Sequence, residues 1–195
     1  MVAGSVLGPF ATKKAGCYLG RVTEGILKKR AKAPSIDSPS GGWAHLRFTL
    51  PDFAASYGGS VNTHTANCQA HVSLADGAPG WQVGLRDLWS RGHVELEPGV
   101  TLKQYVTVFY SQDAGNTTLE SAPNSTLSRD IELHAEIPES GVVWSPCTGR
   151  DGAVGILNVN FRVALTSTRS DAYGFYGGGK NATVTEKWGW IWKRC

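Results

Sequence analysis

No run of apolar residues in this 195-residue chain approaches the roughly 18 that a membrane-spanning helix requires. Helical periodicity is almost absent, which removes bundles and other helical folds from consideration. Charge is sparse: Asp, Glu, Lys and Arg make up 18% of the chain and the net charge is +3. A nucleic-acid-binding surface calls for a far more basic stripe. The cysteines include no Cys-x-x-Cys pair, so a zinc site built from them lacks support. Gly-x-Ser-x-Gly, His-Glu-x-x-His and a phosphate-cradling glycine loop are missing as well. His45, His64, His71, His93 and His134 are scattered at spacings that suggest no metal site. Acidic pairs such as Glu95/Glu97 and Glu132/Glu136 read as solubilising charge on outward faces, whereas a glycosidase would set two carboxylates across a cleft. The expectation is a non-catalytic protein with no cofactor, no metal, no nucleic-acid partner and no membrane partner.

What the chain does contain points outside the cell. Cys17, Cys68, Cys147 and Cys195 are even in number and far apart, as disulfide-forming residues of secreted proteins are. Four cysteines allow three connectivities. Cys17–Cys68 with Cys147–Cys195 is the expected one, because each bond would fasten a chain end to a strand in its own half. Each would close a loop of about 50 residues and contribute on the order of 4 kcal/mol. Asn116, Asn124 and Asn181 head Asn-x-Thr or Asn-x-Ser/Thr sequons in polar stretches, so they are candidate glycosylation sites. The N-terminus, Met1 to Phe10, has neither a basic n-region nor a sustained apolar one, and reads as a start placed on a mature secreted protein. Residues 1–15 are expected to be extended or disordered, ahead of a single domain over residues 16–195. Lys28-Lys29-Arg30 with Lys32 is the one concentration of charge, and a solvated loop is the plain reading of it.

Alternating and β-branched stretches separated by Gly, Pro, Asn, Asp and Ser recur along the chain. They predict strands over Gly20–Leu27, Ala44–Leu50, Asn67–Leu74, Gln82–Trp89, Gly92–Glu97, Leu102–Ser111, Asp130–Ile137, Gly155–Leu165 and Ala182–Trp192. About nine strands without crossover helices imply an all-β, antiparallel two-sheet β-sandwich, here stapled by two disulfides. Leu46, Phe48, Val83, Leu85, Val106, Val108, Ile131, Leu133, Phe161 and Val163 are expected to face inward. Tyr105, Thr107 and Phe109 would then share the opposite face of their strand. Ala33–Gly42, Ser111–Ser128 and Ser170–Asn181 read as loops.

Two groups of aromatics are candidates for binding. Trp188, Trp190 and Trp192 alternate, so one strand face holds all three, either as a platform for sugar rings or as core. Tyr173, Phe175 and Tyr176 lie among glycines in the third loop. They are either partner-binding anchors on a projecting loop or rings folded back on the sheet.

Four stretches together resemble a known family: Asn67-Cys68-Gln69; Pro79-Gly80-Trp81-Gln82 with Arg91-Gly92-His93-Val94; Val143-Trp144-Ser145-Pro146-Cys147; and the closing Trp192-Lys193-Arg194-Cys195. The chain is similar from about Gly16 to Cys195 to the domain of unknown function forty-three-sixty, a family of small secreted proteins of fungi and bacteria. Ala66 stands where that family usually has Lys or Arg, and Tyr18 follows Cys17 where it has Pro. The resemblance implies secretion and structural cysteines and brings no catalytic residues. Three functions follow in order of expectation. The first is a fungal apoplastic effector that binds and inhibits a host hydrolase such as a papain-like cysteine protease. The second is a module for a cell-wall glycan, and the third an unfamiliar hydrolase.

Overall fold

The computed structural model describes residues 47–50, 52–58, 63–74, 77–111, 113–121, 127–179 and 183–195. They form ten strands: β1 (Arg47–Leu50), β2 (Ala55–Tyr57), β3 (Thr65–Leu74), β4 (Trp81–Leu96), β5 (Val100–Tyr110), β6 (Asp113–Ser121), β7 (Leu127–Glu136), β8 (Gly155–Ser167), β9 (Gly174–Gly177) and β10 (Val184–Arg194). One 3-10 turn, Glu139–Gly141, is the only helical element among the described residues. Residues 1–15, Cys17, the strand expected at Gly20–Leu27, the basic Lys28–Lys32, the loop Ala33–Gly42, Leu46, Asn124 and Asn181 lie outside the described residues.

All pairings are antiparallel and fall into two sheets. One has four strands in the order β3-β8-β5-β6; the other has six, built around β4. Along one edge of β4 run β10 and then β9, and along the other runs β7. The all-β sandwich is therefore confirmed, with sequence alternation as its cause. On β5, Val100, Leu102, Gln104, Val106, Val108 and Tyr110 are buried, and every residue between them is half-buried.

Aromatic side chains join the sheets across the core. Phe53 stacks on Phe161 of β8 (centroids 5.1 Å apart) and meets Tyr176 of β9 edge-on at 6.5 Å. The Tyr110 hydroxyl donates to the Val83 carbonyl across the sandwich at 3.0 Å, and burial raises its pKa. Val83, Leu85, Val106, Val108, Leu133, Phe161 and Val163 are buried as expected. Ile131 is only half-buried; among the described residues β7 pairs with β4 and with no strand on its far side. Phe48 lies in β1, paired in register with Glu186.

Three expectations are corrected. The two strands read as Gln82–Trp89 and Gly92–Glu97 are one 16-residue strand. Gly92 is no breaker: a Cβ there would sit 2.9 Å from the Tyr176 ring, so close packing requires the glycine. The polar stretch Ser111–Ser128 contains β6, whose polar composition suits an edge strand. The glycine-rich Ser170–Asn181 contains β9, and a Cβ on Gly174 would lie 2.6 Å from Val100.

Candidate functional site

Neither aromatic group read from the sequence forms an outward site. Tyr176 is fully buried, and its hydroxyl is 2.7 Å from Ser90 Oγ in the core. Phe175 is half-buried, leaving Tyr173 as the exposed ring at 37%. Tyr173 is itself held at the end of β4, its N–H donating to Glu97 Oε2 at 2.8 Å. The projecting loop with three anchors is thus corrected to a short paired strand with one ring inside. Trp188, Trp190 and Trp192 pair with the buried Leu88, Leu85 and Val83 and so face the core. Trp188 is fully buried and packs edge-on against Trp190 at 5.9 Å. Trp190 and Trp192 are half-buried, and with Trp188 buried the three do not form a platform together. They keep one face despite a bulge, since the unpaired residue, Arg86, belongs to β4.

The cysteines act on the framework. Cys147 is bonded to Cys195 with Cα atoms 6.0 Å apart, and the Cys195 N–H donates to Gly80 O at 3.0 Å. The end of β10 is thereby tied to the start of β4. Cys68 is buried on β3 and disulfide-bonded; Cys17, expected to be its partner, lies outside the described residues. Asn116 falls within β6.

The two outward sheet faces differ in chemistry. On the six-stranded sheet, hydrogen-bonded pairs of basic and acidic side chains bridge strands, while Lys187 and Arg194 lie over the Trp89 and Trp81 rings. Arg86 and Glu136 are 2.7 Å apart, and their mutual hydrogen bond raises the first pKa and lowers the second. His134 Nε2 lies 2.8 Å from Asp87, while its ring stacks on Trp89 at 4.9 Å. His93 sits between Asp130 (2.9 Å) and Glu95 (3.2 Å), and the hydrogen bond to Asp130 does most to raise its pKa.

The four-stranded sheet presents a different surface. Register places its outward residues in rows across β3, β8 and β5: Asn67–Arg162–Tyr105, then Gln69–Asn160–Thr107, then His71–Asn158–Phe109. Amides, rings and cations fill these rows, and none of the nine residues is acidic. Arg162 lies over the Tyr105 ring, its guanidinium carbon 4.3 Å from the centroid. Asn158 is buried, accepting from His71 Nδ1 and donating to Ser111 Oγ at 2.8 Å. Asn160 Oδ1 is covered by its surroundings and has no hydrogen-bond donor. Flat polar rows with flanking rings can hydrogen-bond hydroxyls and stack on sugar rings. Among the described residues no three His, Cys, Asp or Glu side chains gather as metal ligands would.

The family model for Domain of unknown function (DUF4360) matches residues 37–195. The chain belongs to the DUF4360 family. A relative from Arthroderma benhamiae, described as an uncharacterized secreted protein, is 33% identical over 131 residues. That match covers 66% of this DUF4360 chain and 51% of the relative, so the chain spans about half the length of the curated relative it matches. Among solved structures, TmCBM61 in complex with beta-1,4-galactotriose matches at 14% identity and a TM-score of 0.26, over 77% of this chain and 70% of that one. The enzymatically active domain of bacteriophage CBA120 tailspike protein 4 matches at 15% and 0.29, over 75% and 15%. Likeness this slight says nothing about ligand or activity. No helix among the described residues is long and apolar enough to cross a membrane.

Sequence reading found one third of the outward site, since Tyr105, Thr107 and Phe109 alternate visibly on β5. It missed Asn67, Gln69, His71, Asn158, Asn160 and Arg162, which reach the same face only through strand pairing. The available signal was the run Asn158, Asn160, Arg162 alternating against Leu157, Val159, Phe161 and Val163 within β8.

Proposed function

We propose that this DUF4360 protein is a secreted, non-catalytic binding protein that holds an extracellular polysaccharide on the outward face of its four-stranded sheet. The observation that carries the reading is the acid-free set of rows from Asn67–Arg162–Tyr105 to His71–Asn158–Phe109. Amide groups donate and accept in one plane, as sugar hydroxyls do, and rings cover the apolar faces of sugars. The rows stand on paired strands, so little ordering is needed on binding. Secretion is supported by the secreted relative and by the disulfide frame. Inhibition of a host hydrolase draws less support, since of its three proposed anchors Tyr176 is in the core and Phe175 half-buried.

The test is co-sedimentation with insoluble wall polysaccharides, comparing the protein with its Tyr105→Ala/Phe109→Ala variant. Binding should weaken about 10-fold or more, since ring anchors commonly carry a large share of affinity. Unchanged binding would move the site off this face. Retention of no polysaccharide, together with capture of a cysteine protease, would restore the inhibitor reading.

A further inference from the structure

Resting on that reading, we infer that the saccharide carries carboxylates, as a uronate-bearing glycan does, and that Arg162 is the residue that recognises them. Arg162 is exposed, is held over the Tyr105 ring, and makes no hydrogen bond or ion pair among the described residues. Arg86 and Arg169, by contrast, are paired within the protein, with Glu136 at 2.7 Å and Asp171 at 2.8 Å. A guanidinium held over a ring still has N–H donors to offer, and its planar fork can receive a carboxylate with two parallel hydrogen bonds.

The surroundings favour an anion from solution over one from the protein. Outward positions on β3 from Thr65 to His71, on β5 from Thr101 to Phe109 and on β8 from Ile156 to Thr166 contain no Asp or Glu. They do contain Lys103, His71 and Arg162. Acid returns at the β6 edge, where Glu120 is the register partner of Tyr105. One row from Arg162, about 7 Å along the strand, lie Gln69, Asn160 and Thr107. That step is comparable to one sugar unit, so a carboxylate held at Arg162 would place ring hydroxyls of the same unit over those amides.

Polygalacturonate and alginate, each paired with its methyl ester, separate charge recognition from backbone recognition. The wild-type protein should bind the free acids at least ~10-fold more tightly than the esters, with the difference shrinking as salt rises. Arg162→Gln should erase the preference while retaining the thermal transition, and Arg162→Lys should restore only part of it. Equal wild-type affinity for acid and ester would overturn the uronate inference and leave the polysaccharide reading standing. Binding of neutral glycans alone would do the same. An Arg162→Gln variant that keeps the full preference would remove Arg162 as its source. Binding to no polysaccharide at all would overturn both readings.

Discussion

The six-stranded and four-stranded sheets share one core and one antiparallel logic, yet they meet solvent in opposite ways. On the first, several basic and acidic side chains of β4 and β7 pair across strands, Arg86 with Glu136, His134 with Asp87 and His93 with Asp130, while Lys187 lies over the Trp89 ring. Such exposed pairs add little stability, but each offsets charge locally. On the second, rings and amides take the positions where carboxylates could sit, and Arg162 rests on Tyr105 instead of an acid. The lesson is that similar alternation can build a closed surface or an open one, depending on the outward residue types.

Phe161→Ala should have the largest effect, because it strips the ring on which Phe53 stacks and so damages what both faces stand on. A loss of roughly 3–5 kcal/mol in denaturant unfolding is expected. A change below about 1 kcal/mol would show that the sheets are not joined through this contact.

Next in size is a pH effect confined to the inner side of the six-stranded sheet. Glu186 is fully buried, and desolvation pushes its pKa from 4.5 up to about 7, against the hydrogen bond it accepts from Trp188. The folded state therefore binds this proton more tightly than the unfolded one. Stability from the neutral form is complete below about 4.5 and is lost as pH rises through about 7. The loss amounts to roughly 3 kcal/mol, taking 1.36 kcal/mol per unit. Melting temperatures across that range should fall with pH, and Glu186→Gln should flatten the curve. A slope that survives the substitution would place the titration elsewhere.

The smallest effect sharpens the contrast between the faces. Arg86→Gln breaks an exposed pair on the six-stranded face, so thermal stability should barely move and polysaccharide binding should not change. If Arg86→Gln weakens binding as much as Arg162→Gln, the two faces are not functionally distinct.

Much of the architecture was legible because alternation of buried and exposed residues is a local property. Leu133, Ala135 and Ile137 point inward and Glu132, His134 and Glu136 outward, as that period dictates. The site was legible only on β5. Tyr173, Phe175 and Tyr176 looked like a projecting loop because glycines usually signal turns. Here Gly92, Gly174 and Gly177 admit close packing instead, and the Tyr176 ring fills the space over Gly92.

Local sequence by itself determined that this chain is all-β, which residues of each long strand turn inward, and that its cysteines are dispersed in the manner of a secreted protein. Tertiary structure alone decided which strands are neighbours. Register is set by packing between segments distant in the chain, and it brought Arg162 of β8 beside Tyr105 of β5 and Asn67 of β3. It also turned the three tryptophans of β10 to the inner side, Trp188 into the core and Trp190 and Trp192 against it, because the residues paired with them, Val83, Leu85 and Leu88, line the inner face.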